Sequence, residues 1–433
     1  MDARTRGWTA AILAGASLWG VQLLRHFTEL AGPLQGRFGT LIRVSTAGAT
    51  LGVAVILVLI AAAWRRLSVR QWETLAALLF AVLVVAPTIG KTGGRLALGP
   101  AHMTLDSIIQ IEVASDMLVQ GRNPYGEDYF GTDLDVWNRG VDRPAMHHLV
   151  YPPLPMLLTL PIRKLCLATL GVYDSRFLLL PALAGTFLLA WRSWQGRPWR
   201  AAALAAVFLN PLLVEDFHVG RWDTLILLIW SVALRAATSG KPRAMAVWLA
   251  LGALTKTTLL LTAPLGAIVA CRTRREALRW LALYGAVFGG VLFPFFVWGP
   301  KDLYQDLFAA LQGIGPYPYA IVSSGALGFG SVVLALGWAA SPAAYFPFWI
   351  VQIPATVAVA VPSIRGLLRE RSLAAMGGAF AMILGTYLYF NRCSDAAWFG
   401  ALISMAVLAL GYDRAATPSP SGTPAESASP QAA

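Results

Sequence analysis

Long apolar runs broken by short polar stretches dominate the chain from end to end. A helix that crosses a membrane needs about 20 mostly apolar residues. Runs of that kind fall at approximately 8–24, 41–63, 72–90, 176–195, 200–214, 222–238, 244–257, 258–271, 277–298, 345–362, 373–390 and 396–411. The pair around 244–271 is short enough to be broken or re-entrant. Two further apolar segments, 152–171 and 325–340, are harder to place, and the first carries Arg163 and Lys164 in its middle. Charges there would be costly at the centre of a bilayer, so both segments are expected to lie at the interface. The pattern predicts an all-α, polytopic helical bundle of about twelve spans.

Composition points the same way. Hydrophobic residues make up 57% of the 433 and charged ones 13%, about half the ~25% expected of a soluble domain. A soluble enzyme, a disulfide-built secreted domain and a disordered regulator are excluded. The formal charge of +12 comes from short basic clusters between apolar runs, among them Arg65, Arg66 and Arg70, then Arg272, Arg274, Arg275 and Arg279. This is the positive bias of cytoplasmic loops and not a surface for nucleic acid. With 152–171 and 325–340 kept out of the membrane, all clusters share one side. That places both termini in the cytoplasm, in a multi-pass protein of the cytoplasmic membrane. Cys166, Cys271 and Cys393 have no ligand spacing, so neither a disulfide framework nor a zinc site is expected. Residues 1–414 form the membrane domain. The Pro-, Ser- and Ala-rich end, 415–433, is expected to be a disordered tail.

The segment 91–151 is the one large loop, and the topology puts it outside. It holds eight of the 22 acidic residues against five basic ones. Missing positive bias explains few arginines in an outer loop but not this density of carboxylates. Within it, residues 104–120 (TLDSIIQIEVASDMLVQ) read as an amphipathic helix with Thr104 as its cap, ended by the turn GRNPYG at 121–126. HHLVYPPLP at 147–155 closes the loop, and its double proline predicts a helix start.

An acid soon after a span, some fifteen residues of helix, G-x-N-P-Y and then Y-P-P-L together resemble the GT-C superfamily of lipid-linked glycosyltransferases. The chain looks most like its family 87 polyprenol-phosphate-mannose-dependent mannosyltransferases. The likeness is strongest over 104–161 and continues more weakly through 210–264, where NPLLVEDFHVGRWDTLILLI precedes GALTKTTLLL. The first two spans and the region after about 300 match poorly.

The resemblance implies a general base at Asp106, with Glu112 and Asp116 in reserve. The chemistry is sound in itself: an inverting transfer needs the acceptor hydroxyl deprotonated as it attacks, and one carboxylate within reach does that. The competing role for Asp106 is to favour the helix dipole. Glu215, Asp216, His218, Arg221 and Asp223 form a second patch. Five ionisable residues in nine positions either pair with one another or hold a phosphate and an acceptor. Lys256 either snorkels or meets a lipid phosphate. Tyr125, His148, Tyr151 and Arg392 complete the expected substrate contacts. His147 and His148, adjacent and without an acid at ligand spacing, make a poor metal site.

The expected function is transfer of a sugar, mannose by the family likeness, from a polyprenyl-phosphate donor to a glycan, lipid or protein acceptor on the outer face. No cofactor is firmly implied, and a divalent cation stays open. Membrane lipid is a partner and nucleic acid is not. The rival class is a transporter or lipid flippase, which should carry its polar residues near the midplane on broken helices. A polysaccharide ligase would carry its large outer loop late in the chain.

Overall fold

The computed structural model describes residues 2–30, 51–63, 65–321 and 328–416. The expected span at 41–63, the segment 325–340 and the tail at 415–433 therefore lie partly outside the described residues. Every regular element among the described residues is helical. In chain order these are α1 (Ala3–Leu30), α2 (Leu51–Ala63), α3 (Val69–Leu98), α4 (Asp106–Val119), α5 (Asp133–Asn138), α6 (Leu154–Leu170) and α7 (Arg176–Ser193). Then come α8 (Arg200–Phe208), α9 (Val214–Val219), α10 (Asp223–Thr238), α11 (Pro242–Ala253), α12 (Thr257–Ala270) and α13 (Arg274–Trp298). The last are α14 (Pro300–Tyr304, continuing through 305–312), α15 (Phe329–Ala335), α16 (Trp349–Glu370), α17 (Leu373–Tyr389) and α18 (Ala396–Ala416).

Four of these, α3, α13, α16 and α18, are long and apolar enough to cross a membrane. Two of them turn bulky apolar side chains outward. Phe293 and Val297 of α13 and Trp349 and Ile353 of α16 are all exposed, a surface that water would not tolerate at this extent. Among the described residues, several of the other expected spans are shorter than a full crossing. The expected run 200–214 divides into α8 and α9 around a turn, and α11 and α12 have 12 and 14 residues. At 1.5 Å per residue such helices fall short of a ~30 Å hydrocarbon core. Of the segment 325–340, the described part forms only the seven-residue α15.

Local chemistry explains where the helices start and stop. Capping boxes open α3 (Ser68 with Gln71) and α13 (Thr273 with Glu276). Gly171 closes α6 at φ 69°, a conformation that costs glycine nothing. α17 and α18 pack closely because Gly377 faces Ala409, where an added Cβ would stand 2.4 Å from the alanine Cβ.

α4 departs from its expected amphipathic form. Its apolar side, Ile108, Ile111 and Met117, joins a core with Leu149, Trp222, Phe295 and Leu303. Its polar side is buried as well. Gln110 Nε2 donates to the carbonyls of Ala145 (2.7 Å) and His148 (2.9 Å), and Ser115 Oγ donates to those of Ile111 and Met156. Thr104 does not cap it; Leu105 holds that position without a side-chain bond, and Thr104 Oγ1 reaches the Val219 carbonyl at 3.4 Å. The GRNPYG turn forms as expected, with Gly126 N–H donating to the Asn123 carbonyl. The double proline delivers its helix start at Leu154.

Glu112 is the anchor of α4. Arg95 of α3 donates to both its oxygens, at 2.9 and 2.8 Å, and the Ser175 amide and hydroxyl donate to Oε1. Asp174 lies 3.4 Å from Arg95 and accepts from Arg176 Nε at 2.9 Å. One turn later Asp116 receives two bonds from Arg163 of α6, at 2.8 and 2.7 Å. The arginine that made 152–171 hard to place is thus paired with a carboxylate of the long loop. Removing one partner of a buried ion pair strands the other charge. Glu112→Gln is expected to destabilise the protein by about 3–5 kcal/mol, read as a lowered unfolding midpoint in detergent. Asp116→Asn, whose side chain is 43% exposed, should cost no more than about 1 kcal/mol.

Candidate functional site

The ends of five elements bring the polar residues together. α4 begins with Asp106, and the bend before α6 contributes Tyr151. The tight connection from α9 to α10 carries Asp216, Arg221 and Asp223. Gly220 makes that connection possible: it lies at φ +84°, and a Cβ there would stand 2.8 Å from Arg176 Cγ. The amides of Gly220 and Arg221 both donate to the Asp216 carbonyl, turning the chain so that Arg221 points back over Asp216. Lys256 stands in extended backbone between α11 and α12. Asp395 and Trp398 come from the start of α18.

Arg221 is the hub. Its Nη1 lies 3.2 Å from Asp216 Oδ1 and 3.0 Å from Asp395 Oδ2, and its Nε lies 3.4 Å from Asp223 Oδ2. Asp223 also accepts from Lys256 Nζ at 3.0 Å, and the same ammonium sits 4.7 Å from the centre of the Trp398 ring. Burial pushes the Asp216 carboxyl up to about 7 against the pull of Arg221, and its Oδ2 is buried without a hydrogen-bond partner. Tyr151 is close enough to Arg221, Asp223 and Asp106 for all three charges to act on its hydroxyl. Its carbonyl accepts from Tyr125 Oη at 2.8 Å.

Asp106 is half-buried at the head of its helix, where Oδ1 accepts from the Ser107 amide at 2.6 Å. Burial raises its pKa, while that amide and the charges of Arg221 and Arg143 draw it part of the way back. A carboxylate raised toward neutrality is a stronger base than an ordinary surface aspartate.

Next to this cluster opens a cavity of about 350 Å³. Tyr151, Lys256, Asn391 and Trp398 line its polar end. Leu261, Leu307, Phe308, Leu311, Ile383 and Leu384 line most of the rest, together with Thr257, Thr258, Gln312, Thr356 and Tyr387. One cation at the mouth of an apolar crevice suits a ligand with an anionic head and a hydrocarbon tail. The volume falls within the ~300–1,000 Å³ of small-molecule sites. It can take the part of a lipid next to its headgroup.

A comparison with protein-family models, curated proteins and solved structures returns no match. The site's own chemistry is what bears on function.

Of the residues singled out in the sequence, the fold gathers Asp106, Tyr151, Asp216, Arg221, Asp223 and Lys256. It takes the others elsewhere. Glu112 and Asp116 are held by Arg95 and Arg163, turned from the cavity. Tyr125 positions Tyr151 from behind. His218 points away, its Nε2 2.6 Å from the Leu83 carbonyl. Arg392 is buried and donates to the carbonyls of Tyr319, Pro342, Ala343 and Ala344, stapling that loop. Sequence reading missed Trp398, and it passed over Asp395, whose one signal was its place in the polar turn just before the last span.

His148 fastens the long loop to α14. Its Nδ1 lies 2.9 Å from Asp306 Oδ1, its Nε2 lies 2.9 Å from the Pro316 carbonyl, and Asp306 Oδ2 accepts from the Leu149 amide. A carbonyl only accepts, so Nε2 carries a proton, and a second proton is shared between Nδ1 and the carboxyl group. Burial opposes the charged imidazole, but the bonds to Asp306 and Pro316 outweigh it and the pKa of His148 rises above 6.5. Burial pushes Asp306 up to about 6 despite His148. Both groups hold protons more tightly in the folded chain, so this latch is strongest at acidic pH. It weakens as pH rises through about 6 and then through the raised value of His148. Hydrogen exchange at the Leu149 amide between pH 6 and 9 should accelerate beyond the intrinsic rate, and Asp306→Asn should flatten that excess. Constant protection across the range would refute the latch.

Proposed function

We propose that this protein is an integral membrane glycosyltransferase. It takes a hexose, mannose by the family likeness, from a polyprenyl-phosphate donor and transfers it to a glycan, lipid or protein acceptor. The observation that carries the reading is Lys256 at the polar mouth of an apolar crevice, beside a cluster that leads through Tyr151 to a half-buried carboxylate. The lipid next to the phosphate enters among Leu261, Phe308 and Ile383. The phosphate meets Lys256, and the sugar is presented toward Tyr151 and Asp106.

Asp106 is the base in this scheme. The acceptor oxygen attacks the anomeric carbon while its proton passes to the Asp106 carboxylate. The bond from that carbon to the phosphate oxygen breaks, and polyprenyl phosphate leaves with the electron pair. The leaving group is already an anion, so no strong acid is required. Configuration inverts because attack and departure occupy opposite faces of the carbon.

The polar groups cluster where helices begin, at the heads of α4, α10 and α18. A transporter would place them midway along broken helices, so this arrangement supports chemistry at one membrane face. The basic clusters between apolar segments support cytoplasmic termini and an outer site. A count of about twelve crossings belongs to the same proposal.

Membranes containing the protein are expected to transfer label from polyprenyl-phosphate mannose to an acceptor. Asp106→Asn should lower kcat by about 10²–10⁴-fold with little change in donor KM. Lys256→Met should raise donor KM. Undiminished turnover in Asp106→Asn would take the base assignment away, and transport of the intact donor without transfer would favour the flippase class.

A further inference from the structure

Both cations of the cluster around Arg221 are already engaged by carboxyl groups, which leaves little positive charge for an anion at rest. Two cations, Arg221 and Lys256, face three carboxylates, Asp216, Asp223 and Asp395. An incoming phosphate meets no net attraction until one of these acids gives way. Two are fixed. Asp223 is buried in the first turn of α10 and divided between both cations, and Asp216 is buried beneath the guanidinium. Asp395 differs: its side chain is 29% exposed, against 12% for Asp216 and 6% for Asp223. It also has a second attachment, for its Oδ1 accepts from the Ala397 amide at 3.0 Å and caps α18. That oxygen can keep its place while Oδ2 releases Arg221.

We propose that Asp395 is a displaceable counter-ion, a positioning residue that holds Arg221 beside the cavity in the empty site and yields it to the phosphate of an arriving lipid. Arg221 then becomes the second cation on the phosphate, with Lys256 as the first. Trp398 moves with the same turn: it stands three residues on, one helical turn from Asp395, with its ring against Lys256. One turn of α18 thereby touches both cations. Occupancy of the site by an anion would be felt at the head of this helix.

The inference rests on reading the cavity as a site for a phosphate-bearing lipid, and not on the transfer chemistry. Asp395→Asn tests it directly. Asparagine caps a helix as well as aspartate does, so the start of α18 is kept while the competing charge is lost. Asp395→Ser serves as a second uncharged cap. Binding of farnesyl phosphate to the purified full-length protein in detergent is the measurement. Both variants should bind at least about fivefold more tightly than the unaltered chain, the low limit for removing one competing charge at short range, reached at the dielectric of bulk water. Combining either with Arg221→Gln should abolish the gain. A purely structural Asp395 would give equal or weaker binding in the variants, and that result overturns the proposal while leaving the lipid-phosphate site in place. Absence of farnesyl phosphate binding by the unaltered chain and by both variants would overturn the site reading itself.

Discussion

Arg95 and Glu112 meet inside the protein with side chains 1% and 5% exposed, and the position of the whole long loop follows from that contact. Taking two such charges out of water is expensive, and it is tolerable here because each is fully engaged. Arg95 fills both carboxylate oxygens, Ser175 adds two donors, and Asp174 and Arg176 extend the network into α7. The result is a rigid joint between α3, α4 and the start of α7. Asp106 stands six residues before Glu112 on the same helix, so fixing one fixes the other. A loop hinged only on apolar contacts could slide along the bundle. One hinged on a bidentate ion pair has a single register.

The same principle, applied with less complete compensation, sets the character of the cavity mouth. Around Arg221 the carboxylates outnumber the cations, and one Asp216 oxygen is left without a partner. The Arg95 network also leaves one buried oxygen without a hydrogen-bond partner, Asp174 Oδ2, but its cations Arg95 and Arg176 match its carboxylates Glu112 and Asp174 in number. Imbalance of this sort costs stability and persists where a ligand completes the set. The crevice beside it is mostly apolar, with Lys256 as the cation among its lining residues.

Some of this was legible from residue order. The apolar runs announced a helical membrane protein, the turn at 121–126 and the helix start after Pro152 and Pro153 followed from backbone chemistry, and the charge crowded into 215–223 marked a site. Other parts were not. The acids of 106–116 read as one set because they are close in sequence, yet a helix turns about 100° per residue and sends Asp106 toward Arg221 and Glu112 to Arg95. The partners that decide their roles, Arg95, Arg163 and Ser175, lie 17 to 63 residues away. Arg392 looked like a substrate contact because it is a lone cation in a polar turn. Four backbone carbonyls occupy it, and carbonyls leave no trace in a sequence.

Residue order by itself determined the class of molecule: a helical chain whose surface is too apolar for water, with a carboxylate-rich loop and a crowded charged patch between apolar runs. These are consequences of composition and short-range periodicity, which depend on neighbours within a few positions. Which charges are spent on holding the fold and which remain to meet a ligand was decided only by tertiary structure. An ionisable group takes its role from whatever stands within about 4 Å of it, and in this protein those neighbours come from helices far apart along the chain.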